Sequence, residues 1–215
     1  TRQPYVGKNA FAHSAGVHAH AEMSSPSTHE HIAPEVVGNE RRLLVSGLSG
    51  RYDIVAKAMQ FGVDVTMDDP RLYAVLARVK RLESEGWQFE DAEASLELLF
   101  EEMMGRRPRW FDVESAEVTT KVAHGSKASS ARLSVRVGDE LLECDAVADG
   151  PIHALGMALR QALEPRWPEL RDVHLRDYSV RILDGEAEPE GDPGIGARGR
   201  VRIEFTDGED IWVTV

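Results

Sequence analysis

The chain has 215 residues, of which 42% are hydrophobic and 29% are charged, and its formal net charge is −12. This size and composition are typical of one large or two small globular domains with a buried core. The acidic balance argues against a nucleic-acid partner, which needs a basic surface. The sequence predicts neither a membrane span nor a signal peptide. The single cysteine, Cys144, excludes an internal disulfide and fits a reducing compartment, so we expect a cytoplasmic protein.

Five of the eight histidines lie in one stretch, AFAHSAGVHAHAEMSSPSTHEHIAPEVVGN, which spans residues 10–39. His18 and His20 form an H-x-H pair, as do His29 and His31, and such pairs in an extended chain are able to bind a divalent metal. Their spacing matches no standard structural zinc pattern, and no cysteine joins them. Solvated loop histidines are the alternative. We predict that this stretch binds no structural metal and is mobile.

Residues 51–105 contain three helical patterns. In RYDIVAKAMQFG the predicted buried face consists of Ile54, Val55, Ala58 and Met59, and Gly62 is the predicted C-cap. In DDPRLYAVLARVKRLESEG, Asp69 suits the N-cap and Pro70 the first helical position. The predicted buried face of this second helix is Leu72, Val75, Leu76, Val79 and Leu82. The third helix, EDAEASLELLFEEMMG, carries Leu96, Leu99, Phe100 and Met103 at helical spacing.

Residues 111–215 alternate with the period of two that is typical of strands. FDVESAEVTTKV, ARLSVRV and ELLECDAV are strand patterns, with a tight hairpin turn at Gly138–Asp139. The helix DGPIHALGMALRQALE follows, and its predicted apolar face is Ile152, Leu155, Leu159 and Leu163. Strand patterns then resume in VHLRDYSVRIL, RVRIEF and DIWVTV. The second half is therefore a duplicated βββα unit in which the second helix is missing, and its uncovered sheet predicts a partner chain or a longer protein.

Several motifs resemble the region that follows the catalytic barrel in the 2-isopropylmalate synthase and citramalate synthase family. AFAHSAGVHAHAEM resembles the family's A-F-x-H-x-x-G-x-H-x-x-A loop, and HEHIAPEVVGN followed by SGLSGR resembles Y-E-H-I-D-P-x-x-V-G-N and S-x-x-S-G-R. DGPIHALGMALRQAL resembles part of the C-terminal regulatory domain. GWQFEDAEASLELL and LRDYSVRIL favour the citramalate branch.

The resemblance implies an α+β chain with three parts. Residues 1–50 would be a linker that covers an active site, residues 51–106 a helical subdomain, and residues 111–215 a regulatory and dimerisation domain. The (β/α)8 barrel, with its divalent metal and acetyl-CoA chemistry, would lie before Thr1, so we expect no cofactor in this chain and no condensation by this chain alone. We expect the regulatory portion of a citramalate synthase that joins acetyl-CoA to pyruvate, with isoleucine as effector. The alternatives are a 2-isopropylmalate synthase with leucine as effector, or a non-catalytic dimerising amino-acid sensor.

The resemblance also implies catalytic positions in the linker. His18 matches the histidine of G-x-H and is the expected acid/base or positioning group, while an interface or capping histidine is the alternative. His29 stands where the family has a tyrosine, and Ala33 stands where it has an aspartate. Because a histidine does not have the reach of a phenol, these two departures affect the expected activity or substrate.

An amino-acid effector needs an anion site, a cation site and an apolar pocket. The start of the helix after residue 148 offers free N–H groups and a positive dipole end for the carboxylate, at Asp149, Gly150, Ile152 and His153. Asp177 is the expected partner of the ammonium group. Leu159, Leu163 and Val180 are the expected pocket residues, and capping, a solvated carboxylate and core packing are the alternatives for these groups.

Overall fold

The structure is a computed structural model, and it describes residues 3–7, 10–13, 32–123, 126–183 and 198–215. The α-helices in these ranges are α1 (Arg51–Gln60), α2 (Pro70–Ser84), α3 (Glu93–Met103) and α4 (Pro151–Leu163). The strands are β1 (Ala12–His13), β2 (Arg42–Leu43), β3 (Asp112–Ala123), β4 (Ser126–Val137), β5 (Glu140–Ala148), β6 (His174–Ile182), β7 (Gly199–Thr206) and β8 (Ile211–Thr214). Short 3-10 helices span Pro34–Val37 and Pro168–Arg171. The predicted α+β class is confirmed.

The chain forms two compact units. The first unit comprises Thr1–Arg107, Leu175–Phe205 and Trp212–Val215, and the second comprises Pro108–His174 and Thr206–Ile211. These units interleave along the chain, and the predicted three-part division stays a prediction. Among the described residues, no helix is both long enough and apolar enough to cross a membrane.

Helices α1, α2 and α3 build the core of the first unit, as their apolar spacing predicts. Asp69 caps α2, because its side chain accepts a hydrogen bond of 2.9 Å from the Arg71 N–H, and Pro70 takes the first helical position. Phe100 is completely buried and meets Phe61 edge to face, with ring centroids 5.5 Å apart. The buried cluster contains Val45, Ile54, Val55, Ala58, Val63, Val65, Leu72, Val75, Val79, Leu82, Phe89, Leu96, Leu99 and Phe100.

One position of the predicted α1 face is wrong. Met59 is 55% exposed, while Lys57 is 3% exposed and lies on the buried side with Ile54 and Ala58. Residues 54, 57, 58 and 61 share one stripe of a helix with 3.6 residues per turn, so geometry places Lys57 inward. The polarity of its side chain conceals this from a search for apolar residues.

The second unit contains the antiparallel sheet β3-β4-β5, with α4 packed on one face. The predicted hairpin is confirmed: β4 and β5 pair directly across the tight turn that begins at Gly138, where φ is +61°. The core between sheet and helix contains Ala131, Leu133, Val135, Val137, Ala146, Ala154, Ala158, Ala162 and Leu163.

The predicted apolar face of α4 is rotated from the observed one. The buried row is Ala154, Ala158, Ala162 and Leu163, whereas Leu155 and Leu159 are half-buried and Ile152 is 41% exposed. Alanines spaced four residues apart allow the helix backbone to approach the sheet closely. The larger side chains therefore flank the contact instead of forming it.

Strands β1 and β2 pair in parallel as a small first sheet, and β3-β4-β5 is the second. The third sheet, β6-β7-β8, repeats the consecutive strand order of β3-β4-β5, as the predicted duplication requires. Its strands expose several apolar side chains. Val180 is 56% exposed and Ile182 is 64% exposed. Exposed apolar side chains on one sheet are typical of a surface that another protein segment covers.

Candidate functional site

The start of α4 is the first part of the candidate site. Strand β5 ends at Ala148, and Gly150 is the extended N-cap residue, with φ −147° and ψ 159°. No side chain caps this helix, and Pro151 at its first position has no N–H to donate. The N–H groups of Ile152 and His153 lie in the first turn, where the helix supplies no acceptor and its dipole is positive. This end of α4 is therefore suited to a carboxylate.

The other predicted residues of α4 divide between surface and core. Asp149, Ile152 and His153 are exposed beside the helix start. Leu159 is half-buried, and Leu163 is 5% exposed within the core of the second unit. Leu163 thus has a packing role here, while Ile152 and Leu159 keep accessible apolar surface.

Asp177 and Val180 lie on β6 in the first unit. The Asp177 carboxylate accepts a hydrogen bond of 3.2 Å from Arg202, which also donates to Glu204 at 3.0 Å. Because both side chains are partly exposed, the ion pair between Arg202 and Asp177 is weak and is screened by salt. Asp177 is therefore accessible to a competing cation. Its joint role with α4 stays a prediction, because α4 belongs to the other unit.

The catalytic candidates His18 and His29 lie outside the described residues, and so do His20 and His31. The predictions of a mobile loop without metal therefore stay predictions. Ala33 is described, and it precedes the 3-10 helix Pro34–Val37. In the described part of the chain, no three His, Cys, Asp or Glu side chains form a cluster that would suit a metal ion.

The first unit contains a charge cluster around Lys57 that the sequence analysis does not predict. The Lys57 ammonium donates to Glu93 Oε1 and, at 2.9 Å, to Gln60 Oε1. The Arg42 guanidinium donates to Glu93 Oε2 at 2.8 Å. Burial alone would raise the pKa of Glu93, but the hydrogen bonds and charges of Lys57 and Arg42 outweigh it and lower this pKa. A lysine in an otherwise apolar helical stripe was the available signal.

Cys144 is the one titratable thiol, and it lies half-buried on β5. Burial, and then the charge of Asp145, raise the pKa of this thiol. A thiol with a raised pKa remains protonated near neutral pH and is a poor nucleophile. We therefore assign Cys144 a packing role beside the core of the second unit.

Two family models match the chain one after the other. The homocitrate synthase post-HMGL domain-like model matches residues 5–86, and the LeuA allosteric (dimerisation) domain model matches residues 90–215. An (R)-citramalate synthase from Aquifex aeolicus is 42% identical over 99% of this chain and 39% of its own length. An (R)-citramalate synthase from Geobacter sulfurreducens is 43% identical over 99% of this chain and 40% of its own length. The chain belongs to the citramalate synthase and 2-isopropylmalate synthase family.

Within this family the citramalate branch is favoured. A 2-isopropylmalate synthase from Methanocaldococcus jannaschii is 26% identical over 84% of this chain and 34% of its own length. The chain spans about two fifths of the length of the citramalate synthases it matches. All eight predicted effector residues fall within the match to the LeuA domain, and His18 and His29 fall within the post-HMGL match.

Proposed function

We propose that the chain is the regulatory portion of an acetyl-CoA-dependent citramalate synthase in isoleucine biosynthesis, controlled by an amino acid such as isoleucine. The match of residues 90–215 to an allosteric domain carries this proposal. The uncapped start of α4 supports it, because the free N–H groups there suit the carboxylate that every amino acid carries. Under this proposal the divalent metal and acetyl-CoA belong to a barrel, and His18 acts at its active site. A cytoplasmic location follows from the same proposal.

Two other functions remain candidates. A 2-isopropylmalate synthase would bind leucine in place of isoleucine, and the more distant identity to such a synthase is the observation behind this alternative. A free-standing amino-acid sensor would bind its ligand in the absence of any condensing activity. Calorimetric titration with isoleucine and with leucine distinguishes a citramalate synthase from a 2-isopropylmalate synthase. The sensor alternative is tested by expressing the whole reading frame and measuring whether the protein releases coenzyme A. A sensor would release none.

Isoleucine should bind the chain more tightly than leucine, and Asp177→Asn should weaken that binding roughly ten- to a hundredfold. The reason is that hydrogen bonds to charged groups contribute about 1.5–3 kcal/mol, and Asp177 is the proposed partner of the ammonium group. Isothermal titration calorimetry measures both effects. Glu169→Gln is the matched control, because Glu169 is an exposed carboxylate in the 3-10 helix after α4. The absence of heat with either amino acid at millimolar concentration would contradict the proposal.

We also propose that the chain forms a homodimer through its LeuA domain, with the exposed apolar side chains of the third sheet at the interface. Ile182→Glu should weaken the dimer at least tenfold, because a charge placed in an apolar interface loses its hydration. Sedimentation velocity across a concentration series checks this. Val122→Glu on β3 is the control, since Val122 is 74% exposed on a strand of a different sheet. A wild-type chain that is monomeric at tens of micromolar would count heavily against the proposal.

A further inference from the structure

A cavity of about 420 Å³ lies within the first unit, between the residues that end α2 and the ends of β6, β7 and β8. Its volume is within the range of sites that hold small molecules. Gly86 on one side falls within the post-HMGL match, and residues 183 and 198–215 on the other side fall within the LeuA match.

Most of the cavity wall is apolar. Leu183, Val201 and Val215 supply aliphatic surface, and Trp87 supplies an indole that is 41% exposed. The Trp87 ring stacks on Phe89, with ring centroids 6.0 Å apart and an interplanar angle of 19°. This stacking holds the indole in place, so the wall is preformed and does not need to order when a ligand enters.

The charged part of the wall is positive. Arg200 lines the cavity and donates one hydrogen bond of 3.1 Å from Nη1 to the Gly86 carbonyl, which fixes its guanidinium. Among the described side chains, no carboxylate pairs with Arg200. Arg198 also lines the cavity. Glu85 also lines the cavity, but its carboxylate accepts from Arg81 Nε at 2.9 Å. A cationic cavity in a chain with a net charge of −12 favours an anionic ligand over a cation.

We propose that this cavity is a second ligand site, which binds a small carboxylate with an aliphatic body. The planar Arg200 guanidinium matches a carboxylate, since both groups form paired N–H···O bonds. The aliphatic body lies against Leu183, Val201 and the Trp87 ring. A free phosphate satisfies the guanidinium but leaves the apolar wall uncovered. The site needs no ammonium partner and is independent of the effector site proposed at α4.

The test uses 4-methylpentanoate as the probe, with 4-methylpentan-1-ol and inorganic phosphate as the two partial probes. Isothermal titration calorimetry on the 215-residue chain should show one site for the carboxylate, and both partial probes should bind at least tenfold more weakly. The alcohol lacks the charge, and phosphate lacks the aliphatic body. Because 4-methylpentanoate carries no ammonium group, its failure to bind would overturn this inference and leave the isoleucine proposal standing.

Variants assign the binding to this cavity. Arg200→Gln should lower the affinity for 4-methylpentanoate at least tenfold, and Arg200→Lys should retain part of it. Arg202→Gln is the matched control on the same strand, because Arg202 pairs with Asp177 and Glu204 and does not line the cavity. Val201→Trp fills the cavity without changing its charge and should abolish binding while circular dichroism shows a folded chain. Equal affinity in Arg200→Gln and Arg202→Gln, or full affinity in Val201→Trp, would overturn the proposal, as would phosphate binding as tightly as the carboxylate.

Discussion

Lys57→Ala should lower the free energy of unfolding by about 3 kcal/mol, because it removes the buried one of the two cations that pair with the half-buried Glu93 carboxylate. The Lys57 side chain is 4% exposed, and Glu93, its partner, is 35% exposed. Arg42 remains beside Glu93 after the substitution, which places the effect at the lower end of the range for buried pairs. Urea unfolding, followed by circular dichroism at pH 7, measures the change.

Two further variants separate the charge from the packing of the lysine stem. Lys57→Met keeps an apolar chain of similar length above the Phe61 ring, so any loss that remains belongs to the charge. Arg81→Met removes one partner of an exposed i,i+4 pair with Glu85, where the side chains are 70% and 44% exposed. Such pairs contribute about 0.3–0.5 kcal/mol. Equal losses in Lys57→Met and Arg81→Met would contradict a special role for the buried cluster.

The pH dependence follows from the direction of the Glu93 shift. The pKa of Glu93 is lower in the folded chain than its ordinary value of 4.5, since Lys57 and Arg42 outweigh the opposing effect of burial. The stabilisation is therefore present above the unfolded pKa and is lost as the pH falls through the folded pKa. The difference in stability between wild type and Lys57→Met should shrink below about pH 4.5, because protonated Glu93 no longer requires a cation.

Local signals in the sequence were sufficient for most element boundaries. Some signals act only on neighbouring residues, and the sequence therefore predicts their effects directly. They include the cap at Asp69, the proline at position 70 and the turn glycine at 138. Which face of a helix is buried depends instead on the element that packs against it. On α4 the alanines face the sheet, and on α1 a lysine takes an inward position. Hydrophobicity alone misassigned both, because close approach and charge pairing are properties of the partner surface.

The candidate sites show the same limit more strongly. The helix start at residues 149–153 was found because a βα junction and a proline mark it locally. The cavity beside Gly86 was missed, since residues from 85–87 and from 183–215 meet there across about one hundred positions. Neither segment carries a recognisable motif. A site made of side chains that are distant in sequence becomes visible only when the backbone brings them together.

Gly86→Ala should destabilise the chain by about 2 kcal/mol, mainly through backbone strain and to a smaller extent through a steric contact. Gly86 ends the turn after α2 with φ at +104°, a conformation that side chains with a Cβ adopt only with strain. A Cβ placed there would also lie 2.3 Å from the Leu183 side chain, so Leu183 would have to move.

Gly105→Ala is the matched control: its φ is +67° and no atom lies within 4 Å of the added Cβ, so backbone strain alone should cost about 1 kcal/mol. Thermal or urea unfolding of both variants measures the difference, and the double variant Gly86→Ala with Leu183→Ala isolates the clash. Equal losses of stability in Gly86→Ala and Gly105→Ala would mean that Leu183 moves aside at no cost, and would contradict the predicted clash.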